Sequence, residues 1–146
     1  MLAEQSQVQV LNTANLRDVI MRMDQMRMTE VFQNIIDNAI RHSPAGATVT
    51  VRAQIWRTDG QPWISCFIED HGPGIRNIDL PKIFQPFFTK RRGGTGLGLP
   101  IVQRIVEAHG GKVVAFNHPK GGAVLRVSLP YSASAEQEQE QTASAS

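Results

Sequence analysis

"GGTGLGLPIVQRIVEAHGG", residues 93–111, places glycines at 93, 94, 96 and 98 directly before an apolar helical run, with two more glycines after it. Ile101, Val102, Ile105 and Val106 form a helical stripe and Gly110 supplies a C-terminal stop, so the spacing predicts a helix over Leu99 to Ala108. A helix N-terminus offers unpaired backbone N–H groups and the positive end of a dipole, and glycines before it let a bulky anion approach. Phosphate suits that arrangement, and a plain surface loop suits the glycines equally well. Neither standard phosphate loop is present: G-x-x-x-x-G-K-[ST] is missing, and Gly94, Gly96 and Gly98 have G-x-G-x-G spacing where a dinucleotide fold needs G-x-G-x-x-G.

Downstream of this helix, Lys112 to Phe116 and Ala123 to Leu129 read as a hairpin. Upstream, Gln25 to His42 carries Met28, Val31, Phe32, Ile35, Ile36, Ala39 and Ile40 at helical spacing and ends at Ser43, Pro44 and Gly46. In Thr48 to Trp56, Val49, Val51, Ala53 and Ile55 alternate with polar residues. A turn is expected at Thr58 to Pro62, and Trp63 to Glu69 repeats the alternation, giving an antiparallel hairpin with one buried face. Val8 and Val10 among glutamines, and the run Val19 to Met23, predict two short N-terminal strands. From Asp70 to Gly98 the apolar pattern fails apart from one helical turn around Leu80 to Phe84, and a loop of that length inside a domain is functional or mobile. The expected fold class is an α/β (α+β) two-layer sandwich, a mixed, largely antiparallel sheet covered on one face by helices.

The 146 residues, 41% hydrophobic, suffice for one domain with a real core over residues 1–131. The remaining stretch, SASAEQEQEQTASAS (132–146), has no large apolar side chain and is expected to be a disordered tail. The net charge of +2 divides into −3 on that tail and +5 on the body, a mild excess that fits an anionic ligand better than a nucleic acid. The single Cys66 excludes an intramolecular disulfide and fits a reducing compartment. No apolar run approaches the roughly 18 residues of a membrane span, and a soluble chain is expected.

Two further stretches carry chemistry. "EDHGPGI" (69–75) ends a strand with an acid and glycines in D-x-G-x-G spacing. Asp70 there either caps a turn or accepts a hydrogen bond from an exocyclic amine, with the glycines making room for a flat ring. On the first helix Glu30, Asn34, Asn38 and Arg41 fall away from the apolar stripe. That row is either a solvated face or, through two asparagines one turn apart, a pair of neutral oxygen ligands for a hard cation.

Taken in order, "EVFQNIIDNAIRHS" (30–43), "EDHGPGI" (69–75), "KIFQPFFTK" (82–90) and "GGTGLGLPIV" (93–102) resemble the N, G1, F and G2 boxes of the catalytic ATP-binding domain of bacterial sensor histidine kinases. That domain belongs to the superfamily of DNA gyrase, the mismatch-repair ATPases and a heat-shock chaperone. The resemblance runs from about Val8 to Tyr131 and implies a Bergerat-type fold with a mobile lid, and ATP and Mg²⁺ as cofactors. By it, Asn38 would ligate Mg²⁺ with Asn34 beside it, and Asp70 would read the adenine amino group. Gly72 and Gly74 would give the ring clearance, with His42 and Ile75 in the same nucleotide site. Phe84, Phe87 and Phe88 match the aromatics that anchor the lid. Gly94, Gly96 and Gly98 would hinge it, and Thr95 and Leu97 would offer N–H groups to phosphate. Arg41, Lys90 and Arg91 are by charge and place either phosphate contacts or solvated residues; Arg41 and Lys90 join Asn34 and Asn38 as the candidate catalytic set.

Asn34 separates branches of that superfamily. Gyrase-like ATPases and anti-sigma serine kinases have a glutamate four residues before the Mg²⁺ asparagine, acting as general base. An amide cannot take a proton, whereas a neutral imidazole is nucleophilic without such help. Asn34 therefore favours phosphoryl transfer to histidine over hydrolysis or serine phosphorylation, with Glu30 as the remaining base by another route. None of His42, His71, His109 and His118 sits in the acceptor context of a sensor kinase, a long helical hairpin with an acidic residue after the histidine. The expected partner is thus a dimerisation and histidine-phosphoacceptor domain, in cis or in trans, and through it a response regulator. The domain is expected to be cytoplasmic and monomeric, without nucleic-acid or membrane contact of its own.

Overall fold

The computed structural model describes residues 7–13, 23–88 and 98–132. They form strand β1 (Gln9–Asn12), helix α1 (Gln25–His42), strands β2 (Thr48–Thr58) and β3 (Gln61–Glu69), a 3₁₀ turn at Leu80–Lys82, helix α2 (Gly98–Ala108), and strands β4 (Lys112–Asn117) and β5 (Ala123–Pro130). The strands join in one sheet of order β1-β2-β3-β5-β4, with β1 parallel to β2 and every other pair antiparallel. The expected mixed sheet is present. The turn predicted over Thr58 to Pro62 is tighter, because the ladder continues to the Thr58–Gln61 pair and leaves only Asp59 and Gly60, both at positive φ, to reverse the chain. Of the predicted N-terminal strands, one is β1; residues 19–22 of the other lie outside the described residues, as do residues 133–146 of the tail.

Alternation decides which face of the sheet is buried. Val51, Ile68, Leu125 and Ala115 pair side by side across β2, β3, β5 and β4 and form one row of the inner face. Helix α1 lays Met28, Val31, Ile35, Ala39 and Ile40 on that face, and α2 adds Val102, Ile105 and Val106. These are the apolar positions that recur every three to four residues, so the helical and strand periods meet in one core. The helices are also tied end to end. Asp24, the N-cap of α1, accepts the Arg27 N–H through Oδ1 at 3.1 Å, while its own N–H donates to Nε2 of His109 beyond the end of α2 at 3.1 Å. The Nδ1 of His109 lies 2.8 Å from the Ile105 carbonyl, so this ring donates through Nδ1 and accepts through Nε2.

No helix lies over the outer face among the described residues, and its own side chains cover it. Trp56 stacks on Trp63 with ring centroids 5.4 Å apart, and Trp56 Nε1 donates to Ser65 Oγ at 2.7 Å. The Arg52 guanidinium sits 4.4 Å from the Phe67 ring centre and 2.8 Å from a Glu69 carboxylate oxygen. Cys66 points to the inner face, where burial pushes its thiol pKa up and leaves it a poor nucleophile.

Candidate nucleotide site

The polar row of α1 lies between two other elements, the start of α2 and the loop after β3. Asn34 and Asn38 are half-buried while Arg41 is exposed. Gly98, the first residue of α2, lies against Asn34, whose Oδ1 is 3.6 Å from the point a Cβ on Gly98 would occupy. The N-terminal end of α2, whose first-turn N–H groups have no partner within the helix itself, is therefore beside the asparagine row. Glu30, one turn further back, is engaged with Arg27 at 3.4 Å on the exposed side of the helix.

At the other end of the row sits the loop after β3. Gly72 presses on the last turn of α1 so closely that a Cβ there would fall on the carbonyl oxygen of His42. Asp70 is buried, 6% exposed, and its Oδ1 accepts two backbone N–H groups, Gly72 at 3.0 Å and Ala123 at 3.0 Å. Its own N–H donates to the Ala123 carbonyl at 2.9 Å. Both readings of Asp70 are thus compatible: Oδ1 holds an Asx turn, and Oδ2, which takes no hydrogen bond among the described residues, is the acceptor left for a ligand. Four residues of helix rise about 6 Å, so Asn34, Asn38 and His42 step over roughly 12 Å from the α2 end to the Asp70 loop. A ligand with a phosphate tail at one end and a flat amino-bearing ring at the other fits that layout.

Asn34 and Asn38 supply two neutral amide oxygens one turn apart. No group of three His, Cys, Asp or Glu able to hold a metal exists among the described residues. A hard cation beside this row would complete its shell from phosphate oxygens and water, the coordination Mg²⁺ prefers. The donor set fits that ion, and Asn34 and Asn38 would hold it.

The remaining expected site residues divide. Phe84 is half-buried against the core and Phe88 is half-buried, consistent with lid anchors. Phe87 is not packed: it is 75% exposed and adopts φ +66°, a left-handed conformation that costs a bulky residue energy. Between Arg76 and Phe88, the described part of the expected lid, the chain runs as a succession of turns, with Ile83 and Asp79 buried and Arg76 Nε donating to Asp79 Oδ2 at 3.0 Å. Lys90, Arg91, Gly94, Thr95, Gly96 and Leu97 lie outside the described residues. Each of the four histidines has Nδ1 engaged by backbone: His42 with Asn38 O, His71 with Thr48 O, His109 with Ile105 O, and His118 accepting the Lys120 N–H.

Sequence reasoning missed three residues that shape the Asp70 end of the site: Asn117, Gly122 and Ala123. They lie 42 to 53 residues from Ile75 and Asp70: Asn117 bonds the Ile75 backbone, Ala123 donates to the Asp70 carboxylate, and Gly122 packs closely on the Asp70 carbonyl. No periodicity reports contacts at that separation.

Residues 23–133 match the family model described as histidine kinase-, DNA gyrase B-, and HSP90-like ATPase. The sensor protein SphS of Synechococcus elongatus is 42% identical over 122 residues, covering 75% of this chain and 29% of that protein. The sensor histidine kinase WalK of Bacillus subtilis is 34% identical over 136 residues, covering 89% and 22%. The chain thus spans under a third of the length of these two relatives. Among solved structures, the mycobacterial sensor histidine kinase MprB superposes with a TM-score of 0.74 at 28% identity, covering 89% of this chain and 87% of that one. The catalytic domain of the histidine kinase ThkA gives 0.73 at 28% identity, covering 88% and 82%. The chain belongs to the histidine kinase-, DNA gyrase B- and HSP90-like ATPase family, and within it its relatives are sensor histidine kinases.

Proposed function

We propose that this domain binds ATP with Mg²⁺ and passes the γ-phosphoryl group to a histidine on a separate dimerisation and phosphoacceptor domain, in cis or in trans, which then serves a response regulator. The observation that carries the reading is the placement of Asp70 and the N-terminus of α2 at opposite ends of the Asn34–Asn38 row. Asp70 Oδ2 accepts from the adenine amino group, the α2 end meets the phosphates, and Arg41, Lys90 and Arg91 are the candidate countercharges by sequence. Mg²⁺ supplies charge neutralisation on the triphosphate. A ring nitrogen of the acceptor histidine bonds to the γ-phosphorus as the bond to the β–γ bridging oxygen breaks, and ADP leaves. The chain's own contribution is alignment and stabilisation of charge. Asn34 leaves no base at the place that would activate water or serine. The domain works on the cytoplasmic side, as a monomer when isolated. No described helix is long and apolar enough to cross a membrane.

Two outcomes test the reading. ATP should bind at least tenfold, or about 1.4 kcal/mol, tighter than GTP, which presents a carbonyl where adenine has its amino group. Calorimetry giving equal affinities would remove the adenine role of Asp70. With radiolabelled ATP alone the chain should retain no label, because none of its four histidines sits in the acceptor context of a sensor kinase; with an acceptor domain the label should be acid-labile. Acid-stable label would favour a serine kinase of the anti-sigma type, and steady phosphate release without acceptor a gyrase-like ATPase.

A further inference from the structure

We propose that Asn117, the last residue of β4, is a positioning residue for nucleotide recognition, holding the loop from Asp70 to Ile75 in the shape that receives the base. The inference rests on the nucleotide reading above. Across 42 residues of sequence, Asn117 Oδ1 accepts the Ile75 N–H at 2.8 Å and Asn117 Nδ2 donates to the Ile75 carbonyl at 2.6 Å. A primary amide presents an acceptor and a donor side by side, so it pairs with both polar groups of one residue as a neighbouring strand would. Asn117 is itself the register partner of Ala123, which holds Asp70 by two hydrogen bonds. One rung of the β4–β5 hairpin therefore fixes both ends of the loop, Asp70 through β5 and Ile75 through β4.

The first half of the loop has its own ties, His71 Nδ1 lying 2.7 Å from the Thr48 carbonyl and the Gly72 N–H donating to Asp70 Oδ1, whereas its Gly74–Ile75 end is held by the Asn117 pair. His71 and Pro73 are exposed, Gly72 and Gly74 carry no side chain, and a Cβ on Gly74 would come 2.9 Å from Asn117 Oδ1. Asn117 is exposed, so its substitution removes little burial and costs the fold little. What it removes is the second clamp, and with it the fixed relation between Asp70 Oδ2 and the glycine backbone.

The test is the affinity of the whole chain for adenosine and for ADP, with melting temperature, in the parent, Asn117→Ala and Asn117→Asp. Loss of two exposed hydrogen bonds should weaken both ligands by the same factor, about five- to tenfold. The melting temperature should stay within about 4 °C of the parent. Asn117→Asp has the same shape but sets a second oxygen against the Ile75 carbonyl, and should bind neutral adenosine no better than Asn117→Ala. Unchanged affinity in Asn117→Ala, parent-like binding in Asn117→Asp, a loss confined to ADP, or a loss that only follows a large fall in melting temperature would each overturn the inference while leaving the nucleotide reading in place. A parent chain that binds neither ligand would remove both.

Discussion

Asn38→Ala is expected to reduce phosphotransfer from ATP to an acceptor histidine domain by about a hundredfold or more, with the fold intact. Charge stabilisation by a metal ion in a transition state is worth several kcal/mol, and each ~1.4 kcal/mol is a factor of ten in rate. Removing one of the two proposed protein ligands, Asn34 and Asn38, should forfeit a large part of that. Stability argues the other way. The Asn38 side chain is half-buried and makes no hydrogen bond among the described residues, and alanine is the better helix former by up to roughly 0.7 kcal/mol. The variant should melt at or slightly above the parent temperature and still bind adenosine, which needs no cation. A variant that melts far below the parent would show that Asn38 serves the fold, and the reading of the polar row as a ligand site would then be wrong.

Gly122→Ala should destabilise the domain well beyond the cost of a methyl group added at an open turn. Gly122 has φ +86°, where a side chain costs about 1–2 kcal/mol, and a Cβ would land on the carbonyl oxygen of Asp70 and within 2.9 Å of its carbonyl carbon. Those are backbone atoms at the end of β3, so relief requires moving the strand end and the loop together. A total cost of about 3 kcal/mol corresponds to a drop of roughly 10 °C in a domain of this size. Adenosine affinity should fall as well, because the displaced residue is Asp70. Gly60→Ala is the control: it has φ +78° with nothing within 4 Å of an added Cβ, so only the conformational cost of about 1–2 kcal/mol applies and nucleotide affinity should not change. Thermal melts and adenosine titrations that come out the same for the two variants would place Gly122 outside the site.

The boundaries of α1 and of the sheet strands were legible because amphipathic periods report local geometry. Val31 and Ile35 fall on the buried stripe, and Asn34 and Asn38 fall off it, by arithmetic on 3.6 residues per turn. The Asp59–Gly60 turn was legible to within two residues, since register, which only the partner strand sets, fixes where the ladder ends. Phe87 shows the opposite case. Its type predicts packing, yet the succession of turns before it leaves the ring outside and the backbone at positive φ. Composition cannot reveal that outcome, because it depends on where Ile83 and Phe84 pin the segment.

The sequence by itself determined the two-layer architecture, the faces of both helices, and the identity of the groups offered to a ligand: two amides on one helix, a carboxylate after a strand, glycines before another helix. Each is a property of residues within one or two turns of each other, where covalent spacing dictates direction. Only the tertiary structure decided that Gly98 meets Asn34 while Gly72 meets His42 at the two ends of the amide row, and that Asp70 spends one oxygen on backbone and keeps the other. It also decided that the rung formed by Asn117 and Ala123 holds the loop, because pairing β4 with β5 and β5 with β3 brings residues more than forty positions apart within hydrogen-bond reach, and no local pattern encodes that distance.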